Sequence, residues 1–270
     1  MDDRPIGVFD SGLGGLTTVR ELCRLLPEED IVYFGDTGRV PYGSRSRETI
    51  VKYARQDVAF LRTFDLKTIV IACGTVSTTA LDVLAAENPI PVLGVVAPAA
   101  RAAARATRSG SIGLIGTQAS IRSGAYERLI RAENPAARVL AQPCPLFGPL
   151  VENGRFRPGD VVIETVAAEY LAPLKEAGVD TLVLGCTHYP LLEKVIGAYM
   201  GPEVRLINSG AEGARAAADC LRERDALAGP GRGSCRCFVS DRQEDFSRLA
   251  STFLGWDVAQ AVEQVDISQY

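Results

Sequence analysis

"TIVIACGTVS" (residues 68–77) and "TLVLGCTHYP" (residues 181–190) share one frame: a threonine, an apolar run, and a cysteine followed by polar residues. A short apolar run bounded by turn residues reads as a strand covered on both faces. A cysteine that closes such a strand lies at its carboxyl end, where open α/β sheets bind their ligands. Cys73 and Cys186 are offset by 113 residues (186 − 73), and upstream "IGVFDSG" (6–12) echoes "IGLIGTQ" (112–118) at an offset of 106 (112 − 6). The repeat predicts two pseudo-symmetric α/β units of about a hundred residues each. If the units face one another, Cys73 and Cys186 converge on one cleft from opposite sides.

The rest of the chain keeps the same rhythm. Strands are predicted over 6–10, 30–36, 68–73, 92–96, 111–116, 138–142, 181–186, 204–210 and 235–241. Helices are predicted over 15–26, 46–64, 76–87, 98–107, 119–132, 159–177 and 210–224, with a further helix after the last strand. Alternation of this kind indicates βαβ units and mostly parallel sheets. "PGRGSCR" (230–236) reads as a loose loop.

Composition narrows the class of function. The chain has 270 residues, 47% of them apolar, and a net charge of −4, which disfavours a nucleic-acid-binding surface. Arg122, Arg128 and Arg131 read as a solvated helix face. The opening "MDDRPIGVFD" is acidic and runs into a strand, unlike a signal peptide, and no apolar run approaches membrane-spanning length. Seven cysteines, an odd number, do not make a disulfide framework. A cytoplasmic protein with reduced thiols is expected.

Three motifs carry candidate chemistry. "DSGLGG" (10–15) is either a plain strand-to-helix turn or an anion-binding one; it is neither a G-x-G-x-x-G turn nor a Walker A loop. "GDTGRVPYG" (35–43) either punctuates a loop or brings Asp36 and Tyr42 to the same cleft as Asp10. The strand-end cysteines are the third. A free cysteine in an apolar run is usually a core residue. Here Cys73 precedes Gly74 and Thr75, and Cys186 precedes Thr187 and His188, the only histidine in the chain. A neighbouring cation lowers a thiol pKa, so His188 looks placed to manage the proton of Cys186, with Asp10 tuning Cys73.

Other uses of the thiols fit less well. The C-x-C and C-x-H spacings match no ordinary zinc site. A Cys-His hydrolase leaves the second strand-end cysteine without a role. A redox pair would usually show C-x-x-C. Cys23, Cys144, Cys220, Cys235 and Cys237 read as structural. Two thiols facing one another suit racemisation, in which one group removes a proton from carbon and the other returns one to the opposite face. No lysine lies in these motifs, which argues against a pyridoxal Schiff base; the carbanion then depends on N–H groups in a dry site.

Together "GVFDSGLGGLT", "YFGDTGRVPYG", "IACGT", "VENG" and "LGCTHYPLL" closely resemble the glutamate racemases, in the family's order and over nearly the whole chain. The resemblance implies cofactor-independent racemisation of glutamate between two α/β domains, 1–97 with 209–270 and 98–208. The last segment, with its strand near 236–240, would return to the first domain. Cys73 and Cys186 would be the proton donors and acceptors, with Asp10 and His188 also catalytic. Ser11, Pro41, Tyr42, Gly43, Gly74, Thr75, Thr117 and Thr187 would line the substrate together with Asp10 and His188, with Asp36 and Glu152 as nearby acids. D-glutamate for peptidoglycan and a homodimeric enzyme are implied as well. The rivals are an aspartate or broad-specificity racemase and a catalytically weak amino-acid-binding relative.

One position departs from the family. Where its members usually read Cys-Asn-Thr, this chain reads Cys73-Gly74-Thr75. The family's asparagine amide contacts substrate, so Ser77 or a water is the expected substitute. A positive φ would be a second reason for glycine at 74.

Overall fold

The structure is a computed structural model, and residues 1–256 and 262–270 are described. Among the described residues ten strands form two sheets, both parallel throughout: β1 Ile6–Asp10, β2 Ile31–Gly35, β3 Thr68–Ile71, β4 Val92–Gly94, β5 Ser111–Gly116, β6 Arg138–Pro143, β7 Thr181–Leu184, β8 Arg205–Asn208, β9 Cys235–Val239 and β10 Val262–Gln264. The first sheet runs β10-β9-β2-β1-β3-β4 and the second β6-β5-β7-β8. Every residue of β1, β2, β3 and β7 is buried, because helices cover both sheet faces.

The order 6-5-7-8 is the order 2-1-3-4 advanced by four strands, so the sequence repeat is a repeat of topology. In each half the strand order reverses beside the first strand: between β1 and β3, and between β5 and β7. These are the switch points where an α/β sheet opens a crevice at its carboxyl edge. Cys73 follows β3 and Cys186 follows β7, so the two cysteines occupy equivalent positions. β9 pairs with β2 in parallel, Ile31 opposite Cys235, which returns the late strand to the first sheet.

All nine predicted strands form. β10, three residues long, was not anticipated, nor were the helices Phe147–Glu152 and Glu193–Met200. The helix predicted over 76–87 is two, Gly74–Thr79 and Leu81–Glu87, broken at Ala80. The one predicted over 119–132 is broken at Gly124, whose φ of +61° is open to glycine. Helix Ser209–Glu223 packs against Leu16–Leu25 and Val96–Ala106, tying the two sheets together.

Candidate active site

A cavity of about 320 Å³ lies where the carboxyl edges of the two sheets meet, within the usual range of small-molecule sites. The first half contributes Ser11 after β1, the Pro41–Gly43 turn, and Cys73, Gly74 and Thr75 after β3. The second contributes Thr117 after β5, Glu152, and Cys186, Thr187 and His188 after β7. The two strand-end thiols therefore enter one cavity from opposite halves. Cys73 is 4% exposed, so the substrate would reach its sulfur only from within this cavity.

The two thiols have different surroundings. Burial and the Asp10 carboxylate push Cys73 up to about 12, against a weaker pull from Ser11, whose Oγ is 3.3 Å from the sulfur. It is a thiol at neutral pH. Cys186 Sγ lies 3.7 Å from His188 Nδ1, and His188 Nε2 lies 2.8 Å from Glu152 Oε1. Burial opposes charge on this imidazole, but the hydrogen bonds to Cys186 and Glu152 outweigh it and raise its pKa to about 10. His188 is thus an imidazolium at neutral pH, with both ring nitrogens donating. Its ring stands edge-on to Phe253, 5.7 Å between centroids. A thiolate on Cys186 would face this cation.

Asp10 lies under the cavity lining, 1% exposed, and accepts from the Gly12 N–H at 3.2 Å and from the Thr187 hydroxyl at 3.5 Å. Burial raises its pKa, while His188 and the Gly15 and Gly12 N–H groups pull it back. Thr17 Oγ1 donates to the Thr187 carbonyl at 3.0 Å, so the first half holds the loop that bears Cys186. A second link joins the halves across the cavity, Thr75 Oγ1 to Thr117 Oγ1 at 2.9 Å.

Asp36 departs from the sequence reading. It does not line the cavity; it is fully buried behind Tyr42, bonded to the Tyr42 hydroxyl and to Arg39 (2.6 Å) and Ser240 (2.7 Å). The Tyr42 hydroxyl also lies 3.1 Å from Asp57, and Arg39 reaches Asp57 at 2.7 Å. The phenol is thus turned away from the thiols, and burial with the two carboxylates raises its pKa strongly. Asp57, absent from the sequence reading, has its carboxyl raised well above the usual range by burial and by Asp36. This network holds the Pro41–Gly43 wall in place.

Gly74 also departs from expectation. Its φ is not positive. It is close to the other half instead: a Cβ there would stand 2.5 Å from the Gly185 carbonyl oxygen. Gly14 is similarly close to Thr187 and His188. Ser77 does not substitute for a missing amide, because its hydroxyl donates to Ile71 O at 3.0 Å and accepts from Val95 N at 3.4 Å.

Sequence reasoning also missed residues that line the cavity, among them Gln118, Cys144, Pro145, Gly148 and Gly185. Cys144, read as structural, is a third thiol in the lining, 1% exposed, with its pKa raised by burial. Gln118 was visible as the last residue of the repeat's second copy, 112–118; nothing local marked Cys144. All seven cysteines are free. Among the described residues no cluster of three or more His, Cys, Asp or Glu side chains is arranged to hold a metal ion, and no helix is long and apolar enough to cross a membrane.

A family profile described as Asp/Glu/Hydantoin racemase matches residues 9–217. A protein of Geobacter metallireducens named glutamate racemase is 49% identical over 256 residues, 94% of each chain. The crystal structure of a Bacillus anthracis glutamate racemase isoform matches with a TM-score of 0.93 at 38% identity, covering 98% of both chains. That of the Francisella tularensis glutamate racemase in complex with D-glutamate matches with a TM-score of 0.92 at 37% identity, covering both chains fully.

Proposed function

The chain belongs to the Asp/Glu/hydantoin racemase family, and we propose that it interconverts L- and D-glutamate without a cofactor, using Cys73 and Cys186 as its two bases. The observation that carries this reading is the entry of two strand-end thiols into one cavity from equivalent positions in the two halves. The choice of glutamate is supported by the relatives' name and by the D-glutamate held in the Francisella tularensis protein.

The electrostatics supply an order of events. Cys73 is held as a thiol, and the His188 cation stands 3.7 Å from the Cys186 sulfur. Cys186 thiolate removes the Cα proton, and Cys73 delivers its own proton to the opposite face. The products are a Cys186 thiol and a Cys73 thiolate, the starting state for the other enantiomer. The Ser11 hydroxyl beside Cys73 is placed to stabilise that thiolate. No lysine lines the cavity among the described residues, so the chain offers no amine for a Schiff base there.

The reading takes 1–97 with 209–270 as one domain and 98–208 as the other. It includes a homodimeric enzyme in the cytoplasm that supplies D-glutamate to peptidoglycan synthesis, and with it cell-wall biogenesis and cell shape. Seven free thiols are consistent with a reducing compartment. The test is incubation of D-glutamate with enzyme in deuterated water. Wild type should give L-glutamate and deuterium at Cα; Cys73→Ala and Cys186→Ala should each abolish racemisation. A Cys186→Ala enzyme that racemises glutamate normally refutes the two-base assignment.

A further inference from the structure

We propose that Gln118 is a substrate-binding residue that donates its amide N–H to a carboxylate of bound glutamate. This rests on the glutamate racemase reading above.

Glutamate brings two carboxylates into the cavity, and among the described residues no arginine or lysine lines it. The one cation there, His188, already has Glu152 at 2.8 Å and the Cys186 sulfur at 3.7 Å. The lining hydroxyls are largely engaged as well: Ser11 with Cys73, Thr75 with Thr117, and Thr187 with Asp10. Buried carboxylates left without donors are costly, so the ligand needs donors the protein has not used.

Gln118 meets that need. It is the one side-chain amide in the cavity lining among the described residues. A primary amide offers two N–H donors without adding a charge that would compete with His188. Its position is well fixed although its side chain is exposed. Thr117, the preceding residue, caps the helix Gln118–Arg122 by accepting from Ser120 N at 3.2 Å. The same threonine is joined to Thr75 of the other half. Gln118 therefore stands at the junction of the two halves, in a cavity to which Gly74 contributes no side chain.

The donor assignment separates this role from a structural one. Steady-state racemisation of D- and L-glutamate, followed by circular dichroism, would compare wild type with Gln118→Met and Gln118→Glu. Methionine keeps the length and removes the donors; KM should rise about tenfold for both enantiomers, with kcat within about twofold and an unchanged melting temperature. Glutamate at 118 replaces the donors by a negative charge, and kcat/KM should fall about 100-fold or more. An unchanged KM in Gln118→Met, or a Gln118→Glu enzyme as good as wild type, overturns the proposal while wild-type racemisation still stands. A wild type that fails to racemise glutamate overturns both readings.

Discussion

Gly74→Ala tests whether the distance between the two halves is set by a missing side chain. A Cβ at 74 would stand 2.5 Å from Gly185 O, where ordinary contact begins at about 3.4 Å, so the two segments must part by about 0.9 Å. Neither side yields easily. Gly185 N donates to Ile115 O at 2.8 Å, which pins the end of β7, and Gly74 opens the helix that follows Cys73. Overpacking of this kind typically costs about 1–3 kcal/mol. Since Cys73 and Cys186 adjoin the clash, the displacement falls on the spacing of the thiols, where about 1 Å can cost roughly 100-fold in rate. The expected result for Gly74→Ala is a kcat/KM lower by about 5- to 150-fold in both directions, with a melting temperature lower by several degrees. Asparagine at 74 meets the same clash and recovers about 0.5–3 kcal/mol at most from a substrate hydrogen bond. The contact with Gly185 therefore predicts no improvement of turnover in Gly74→Asn. Kinetics on both enantiomers and thermal melts of the two variants decide the matter. A Gly74→Asn enzyme that melts with the wild type and turns over faster refutes the argument, because the halves would then part without cost.

His188→Asn should lower kcat by about 10²- to 10⁴-fold, more in the direction that starts from a Cys186 thiolate; rates and pH profiles unchanged from wild type in both directions would reduce His188 to a polar residue closing a strand. The same variant tests linkage. His188 has a folded pKa of about 10 against an ordinary 6.5, so its stabilisation is complete below pH 6.5 and lost as pH rises through 10. Between pH 6.5 and 9 the wild type should lose up to about 1.4 kcal/mol per pH unit in denaturant melts, a slope that His188→Asn should flatten; parallel curves would refute the shift. Tyr42→Phe removes the hydroxyl that bridges Asp36 and Asp57, leaving a buried carboxyl short of a partner at a cost of about 1–3 kcal/mol. Its melting temperature should fall by several degrees, and an unchanged melt would mean that Arg39 and Ser240 satisfy the pair without it.

What the sequence determined by itself was whatever depends on neighbours along the chain. Apolar runs such as Thr68–Ile71 and Thr181–Leu184 are strands because a doubly covered parallel sheet needs unbroken apolar residues. The carboxyl-end placement of Cys73 and Cys186 followed from where those runs stop, and the repeat announced two equivalent halves. Elements with weak local signals were missed: β10 has three residues, and its place is set by pairing with β9. Tertiary structure alone decided which side chains face the cavity. Asp36 and Tyr42 lie in a motif that reads as a cleft wall, yet Arg39, Asp57 and Ser240 draw their polar groups away from it. Cys144 reads as an ordinary core thiol and Gln118 as a helix residue, yet both meet the cavity where the second half closes on the first. Gly74 looked like a lost side chain, and its reason is the carbonyl of Gly185, more than a hundred residues away. Local pattern fixes which face of an element is apolar; only the packed halves determine which polar groups find partners in the protein and which remain for a substrate.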